Sequence, residues 1–209
     1  MKLWSNSLED GQPVPGRNAF GIPDGQGGMR FGDNLSPHLA WSGVPDGTRS
    51  LILLCHDPDV PGDASDVNQA DREVPAELPR VDFFHWVLVD IPPEWTEIAE
   101  GAFTDGVTPK GKPGPEAPMG LRHGLNDFTH FLAGDPDLAG QYFGYDGPCP
   151  PWNDARLHHY VFTLYATSLA RCPVDGVFSG GDVREALRGA VLDQASFTCT
   201  YTLNSRLIG

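Results

Sequence analysis

Basic residues are scarce: 14 Lys and Arg stand against 28 Asp and Glu, a net charge of −14. They are scattered, without a Lys/Arg run, which argues against nucleic acid or an anionic membrane surface as partner. A small phosphate-like anion stays compatible, provided that local donors outweigh the global field. Cysteine occurs four times, at 55, 149, 172 and 199, and never as C-x-x-C. Neither a zinc knuckle nor a disulfide framework is expected, and free thiols in a cytoplasmic setting are the default. No run of eighteen apolar residues offers a membrane span. The start, Met1-Lys2-Leu3-Trp4-Ser5-Asn6, turns polar too quickly for a signal peptide. The G-x-S-x-G elbow of many hydrolases is absent, and no metal or cofactor is expected.

Glycine and proline are plentiful, at 25 and 20 residues. With so little helical periodicity, they point to a mainly β, loop-rich protein in one domain over 1–209. Ser50–His56 is apolar on both faces and reads as a central strand ending at the rigid corner Asp57-Pro58-Asp59-Val60-Pro61. Phe83–Pro92 is a second strand, in which alternation places His85 on the face of Val87 and Val89. A third begins at His158, with His158, Tyr160, Phe162 and Leu164 on one face. It follows a stiff loop, Gly147-Pro148-Cys149-Pro150-Pro151.

Elsewhere, Asp24-Gly25-Gln26-Gly27-Gly28 lacks the strand–loop–helix setting of a phosphate loop and reads as a turn, as does Asp135-Pro136-Asp137. Residues 63–80 and 101–146 form long loops, the second rich enough in aromatics to be ordered. The spacing of Val183, Ala186, Leu187, Ala190 and Val191 predicts a helix capped by Asp182 and ending near Gln194. A last strand is expected over 196–203.

If the strands at 50–56 and 158–166 run antiparallel, Asp57 meets His158 and Tyr160, and His85 joins them at the same end. A carboxylate beside imidazoles fixes a tautomer and favours the imidazolium. Such a cluster could hold a small anion, support hydrolysis or bind a metal, and the residues favour them in that order. A hydrolase would need an activated nucleophile, and Cys149 has no evident base. The metal reading lacks the close ligand spacing of known motifs.

Asp57-Pro58-Asp59-Val60-Pro61, His85-Trp86-Val87-Leu88-Val89, and Gly147-Pro148-Cys149-Pro150-Pro151 with His158-His159-Tyr160-Val161-Phe162 resemble the signatures of the phosphatidylethanolamine-binding protein family, in its bacterial Raf-kinase-inhibitor-like branch. Asn34-Leu35-Ser36-Pro37 and Trp41 match as well, so the resemblance runs from Asn34 to Leu203. It implies an antiparallel Greek-key β-sandwich, a central sheet flanked by a smaller one. It also implies an anion pocket with Asp57, His85, His158 and Tyr160 as polar residues. Pro61, Cys149 and Pro150 would shape the rim, with loop amides from Gly147 onward completing the site. The implied ligands are phosphate, phosphorylethanolamine or acetate-like anions. The implied role is binding and regulation, alternatively inhibition of a kinase or protease as an interaction module, with a homodimer as the implied assembly. One departure is His159, where the family usually carries Arg; the expectation is that an ion pair behind the pocket is lost.

Overall fold

A computed structural model describes residues 1–208. Strands make up most of the regular structure: β1 (Lys2–Trp4), β2 (Gly21–Pro23), β3 (Met29–Phe31), β4 (Leu39–Ser42), β5 (Ser50–Pro61), β6 (Arg80–Ile91), β7 (Glu97–Ile98) and β8 (Arg122–His123). The short helix α1 (Phe128–Phe131) precedes β9 (His158–Thr167), α2 (Gly180–Ala186) and β10 (Val191–Tyr201). The main sheet is antiparallel, in the order β10-β9-β5-β6-β8. A smaller antiparallel sheet, β1-β4-β7, flanks it, and β2-β3 forms a hairpin.

β5 reads as apolar on both faces because it is covered on both. Leu51, Leu53 and Cys55 join Trp86, Leu88, Phe162 and Leu164 in a core closed by Leu39, Trp41 and Ile98 of the smaller sheet. Ile52 and Leu54 face the other way, onto Val87, Val89, Val183 and Leu187. The alternating sides of one strand thus bind two layers to the sheet.

β5 runs on through the Asp57 corner to Pro61 instead of ending at His56. The pairing shifts from Asp57↔Phe83 to Val60↔Val81, so β5 carries one extra residue there, and the bulge bends the strand without ending it. A second bulge lies on β6, where the pairs go from Cys55↔Trp86 to His56↔Phe84 and leave His85 as the extra residue. Phe84 therefore packs with Val87 and Val89 on one face, while Trp86 packs on the other. His85 turns to the Trp86 side, where its ring lies 5.0 Å from that of Tyr160. The alternation that placed it with Val87 and Val89 fails because the bulge shifts the count by one.

α2 also differs from its sequence pattern. Ser179, not Asp182, is the N-cap; its hydroxyl accepts from the Asp182 N–H, and Asp182 reaches back to the Ser179 N–H at 2.8 Å, a complete capping box. The helix stops at Ala186, and Gly189, at φ +75°, turns the chain into β10. Val191, periodic with the helix, belongs to the strand. Ser179→Ala is expected to cost about 1 kcal/mol in chemical denaturation, the usual value of such a cap. The 24–28 segment is a turn in the β2-β3 hairpin, with Asp24 accepting from the Gln26 and Gly28 amides at 2.7 and 3.0 Å. Asp135-Pro136-Asp137 is a turn as well, with Asp135 accepting from the Asp137 amide at 2.8 Å.

Candidate small-ligand pocket

The antiparallel pairing of β5 with β9 brings the Asp57 end of one strand to the His158 end of the other. His158 is fully buried, and its Nδ1–H donates to Asp57 Oδ2 at 2.6 Å. The other Asp57 oxygen accepts the Asp59 N–H at 2.7 Å and locks the corner. On its far side His158 Nε2–H donates to Asp154 Oδ2 at 3.1 Å. Arg80 clamps that carboxylate with both terminal nitrogens, at 2.6 and 3.1 Å. The result is a buried row of alternating charge: Arg80, Asp154, His158, Asp57. Burial works against the imidazolium, but the bonds from Asp154 and Asp57 outweigh it and push the His158 pKa up to about 9. The same bonds from His158 and Arg80 hold Asp154 below the usual carboxylate range, against the effect of burial.

His85 stands in front of this row. Its Nδ1–H donates to the Asp146 carbonyl at 2.8 Å, and its own carbonyl accepts the Asp146 N–H at 3.0 Å. This bracket fixes the ring and leaves Nε2 as its second hydrogen-bonding atom. Burial lowers the His85 pKa, although Asp57 and the Asp146 carbonyl oppose the shift. The neutral ring then presents a lone pair at Nε2, which becomes a donor only when His85 takes up a proton. Tyr160 keeps its hydroxyl proton, because burial and the nearby Asp57 push its pKa well above the ordinary value.

Asp146 is itself wholly buried and ties the surrounding loops together. Its carboxylate accepts from Asn34 Nδ2 at 2.8 Å and Asn126 Nδ2 at 2.7 Å, and pairs with the Lys112 ammonium at 2.7 Å. Asn126 Oδ1 accepts the Phe128 N–H at 3.1 Å and so fixes α1 beside the pocket.

These residues bound a cavity of about 70 Å³. Asp57, His85, His158 and Tyr160 all line it, as do Pro61, Cys149 and Pro150. The long loops supply much of the remaining wall: Ala64 and Val67 come from 63–80, and Phe128 and Phe131 from 101–146. Phe83 closes the rim from β6. Gly147 does not line the cavity. Its N–H donates to Asn34 Oδ1 at 2.9 Å, and an added Cβ would come within 2.1 Å of the Asn18 carbonyl oxygen. What the structure shows there is a close approach of two backbone segments, which the missing Cβ allows. Gly147→Ala is expected to cost about 1–3 kcal/mol in thermal unfolding, as overpacking does.

The ion pair behind the pocket is kept in altered form. His159 Nδ1 contacts Asp59 Oδ2 at 2.8 Å, and Arg156 Nε pairs with Asp59 Oδ1 at 2.6 Å. An arginine three positions earlier thus fills the place expected to be empty. Among the described residues no cluster of three or more His, Cys, Asp or Glu is arranged to hold a metal ion. No helix among them is long and apolar enough to cross a membrane.

Asp154, Arg80 and Asp146 carry no motif or periodic signal of their own, and sequence reasoning missed them. The strand pattern located only the residues they serve.

Comparison with known proteins agrees with this architecture. A family model described as phosphatidylethanolamine-binding protein matches residues 4–202. YbhB of Escherichia coli K12 is 32% identical over 203 residues, covering 97% of this chain and all of that protein. The crystal structure of Escherichia coli YbcL, a member of the mammalian PEBP family, superposes with a TM-score of 0.68 at 28% identity, covering 96% of this chain and 97% of the other.

Proposed function

This chain belongs to the phosphatidylethanolamine-binding protein family, which carries a binding role, and from that premise we propose that it is a regulatory binding protein for small acids. Phosphate, phosphorylethanolamine head groups and acetate-like carboxylates share the chemistry the pocket suits. The observation that carries this reading is the fixed His85 ring, whose Nε2 is left for a ligand in a small, largely apolar cavity that also holds the Tyr160 hydroxyl. An anion beside Asp57 would ordinarily be repelled. Here His158, held as an imidazolium, offsets the Asp57 charge, and Arg80 offsets that of Asp154, so the wall is close to neutral despite the acidic chain. His158 has both nitrogens committed and backs Asp57. Tyr160 hydrogen-bonds Asp57, and His85, once protonated, supplies the donor.

Covalent catalysis finds little support. Burial pushes the Cys149 thiol up to about 12, so almost no thiolate exists near neutrality. The test is a histidine NMR titration with phosphate and with phosphorylethanolamine. Millimolar ligand is expected to shift the His85 ring signals while His158 keeps its imidazolium pattern. His85 signals that stay put would end this reading.

A further inference from the structure

We infer that the pocket takes the acidic head of a small molecule whose apolar substituent, alkyl or aryl, lies in an adjoining groove. This rests on the reading that the pocket binds an acid, and it names the class of acid. A second cavity of about 120 Å³ shares Phe128, Phe131, Cys149 and Pro150 with the first. Its own walls include Phe20, Met29, Phe31, Leu138 and Trp152, and no charged residue lines it. Its one amide side chain, Asn68, accepts the Trp152 N–H through Oδ1 at 3.1 Å.

An unbroken series of ring contacts joins the two cavities. Tyr160 meets His85 at 5.0 Å, His85 meets Phe128 at 5.6 Å, Phe128 stacks on Phe20 at 4.6 Å, and Phe20 meets Phe31 at 5.4 Å. The polar atoms sit only at the inner end of this series. At its outer end Phe31 and Phe131 are 45% and 46% exposed, with Met29 beside them at 36%. Grouped exposed apolar side chains around a groove mark a surface that gains from being covered. The head cavity alone holds little more than an inorganic anion, and an ammonium in the groove would find no carboxylate partner there. An uncharged hydrocarbon group fits its lining and would be drawn in by burial of apolar surface.

The experiment compares methyl phosphate with hexyl phosphate, which carry the same head and charge, by calorimetry on the full chain. Hexyl phosphate is expected to bind at least about tenfold more tightly, the effect of burying two or more methylenes. In the double variant Met29→Ser/Phe31→Ser, at two positions that line only the groove, that advantage should disappear while methyl phosphate affinity holds. Equal affinities for the two esters in the unaltered chain would overturn the inference, with the acid pocket left standing. So would a double variant that loses both esters equally. If neither ester binds, the inference falls together with the acid pocket itself. Light scattering supplies the remaining arm: a dimer that dissociates on Phe131→Ser would make the groove a contact between two copies and overturn the proposal.

Discussion

Asp154→Asn is expected to lower the unfolding free energy by roughly 3–5 kcal/mol, the cost of leaving a buried charge without its partner. The substitution keeps the shape and removes the charge that Arg80 and His158 share. Both are buried, so neither can turn to water for compensation. His158 would lose one of the two carboxylates that keep it charged, and its pKa should fall from about 9 toward the ordinary range. This gives a second readout. A histidine whose folded pKa lies above its unfolded value stabilises the fold fully below the unfolded pKa, near 6.5, and that contribution fades as pH rises through about 9. The unaltered chain should therefore lose stability between these values, and the variant should show a flatter alkaline limb. Urea unfolding across this pH range measures both effects. A loss under about 1 kcal/mol with an unchanged alkaline slope would show that the row of charges does not act as a unit.

The three central strands were legible because each is a continuous apolar run too long to be anything but buried. Once β5 and β9 pair antiparallel, Asp57, His158 and Tyr160 must converge, so most of the pocket follows from register alone. The orientation of His85 does not. It depends on a bulge, and a bulge leaves the composition of Phe83-Phe84-His85-Trp86 unchanged while reversing the faces of its residues. The sign available was the run of large side chains, four in succession where alternation calls for two. The residues that orient the pocket were hidden for another reason. Asp154, Arg80 and Asp146 act through buried polar bonds between segments distant in sequence, and such bonds carry no period. The helix was overextended because Ala190 and Val191 fit a helical repeat, while the glycine at 189 that ends it was weighed too lightly.

His159 shows how a local rule can be met by a different residue. Asp59 sits on the bulged corner, and its carboxylate is nearly inaccessible, so it needs a partner. Arg156 fills that need from the loop before β9, and His159 adds its ring and its N–H, which reaches Asp59 Oδ2 at 3.1 Å. Because the corner that holds Asp57 is fixed from both sides, this cavity-lining carboxylate keeps its position with histidine at 159.

The affinity for acetate is expected to fall by roughly 30- to 100-fold between pH 6 and pH 8, close to tenfold per unit above the His85 pKa. His85 donates Nδ1–H to Asp146, so its free nitrogen can meet an anion only by gaining a proton. Burial sets that pKa below the usual value, which makes the neutral ring the resting state at pH 7. Acetate itself stays ionised throughout the range, so the complex holds one proton more than the separated partners, and linkage requires affinity to track proton concentration. The groups around His85 leave this assignment clear. His158 stays charged up to about pH 9, and the Cys149 thiol and the Tyr160 hydroxyl stay protonated across the window. Asp57 is bonded to His158, and Asp146 meets His85 through its backbone. His85→Gln replaces the imidazole with an amide that donates without titrating, and its weaker acetate affinity should be flat with pH. Calorimetry at several pH values, in buffers of different ionisation enthalpy, counts the proton directly. A flat profile in the unaltered chain would mean that the anion is met by donors that do not titrate, and His85 would lose its place as the group proposed to receive the ligand.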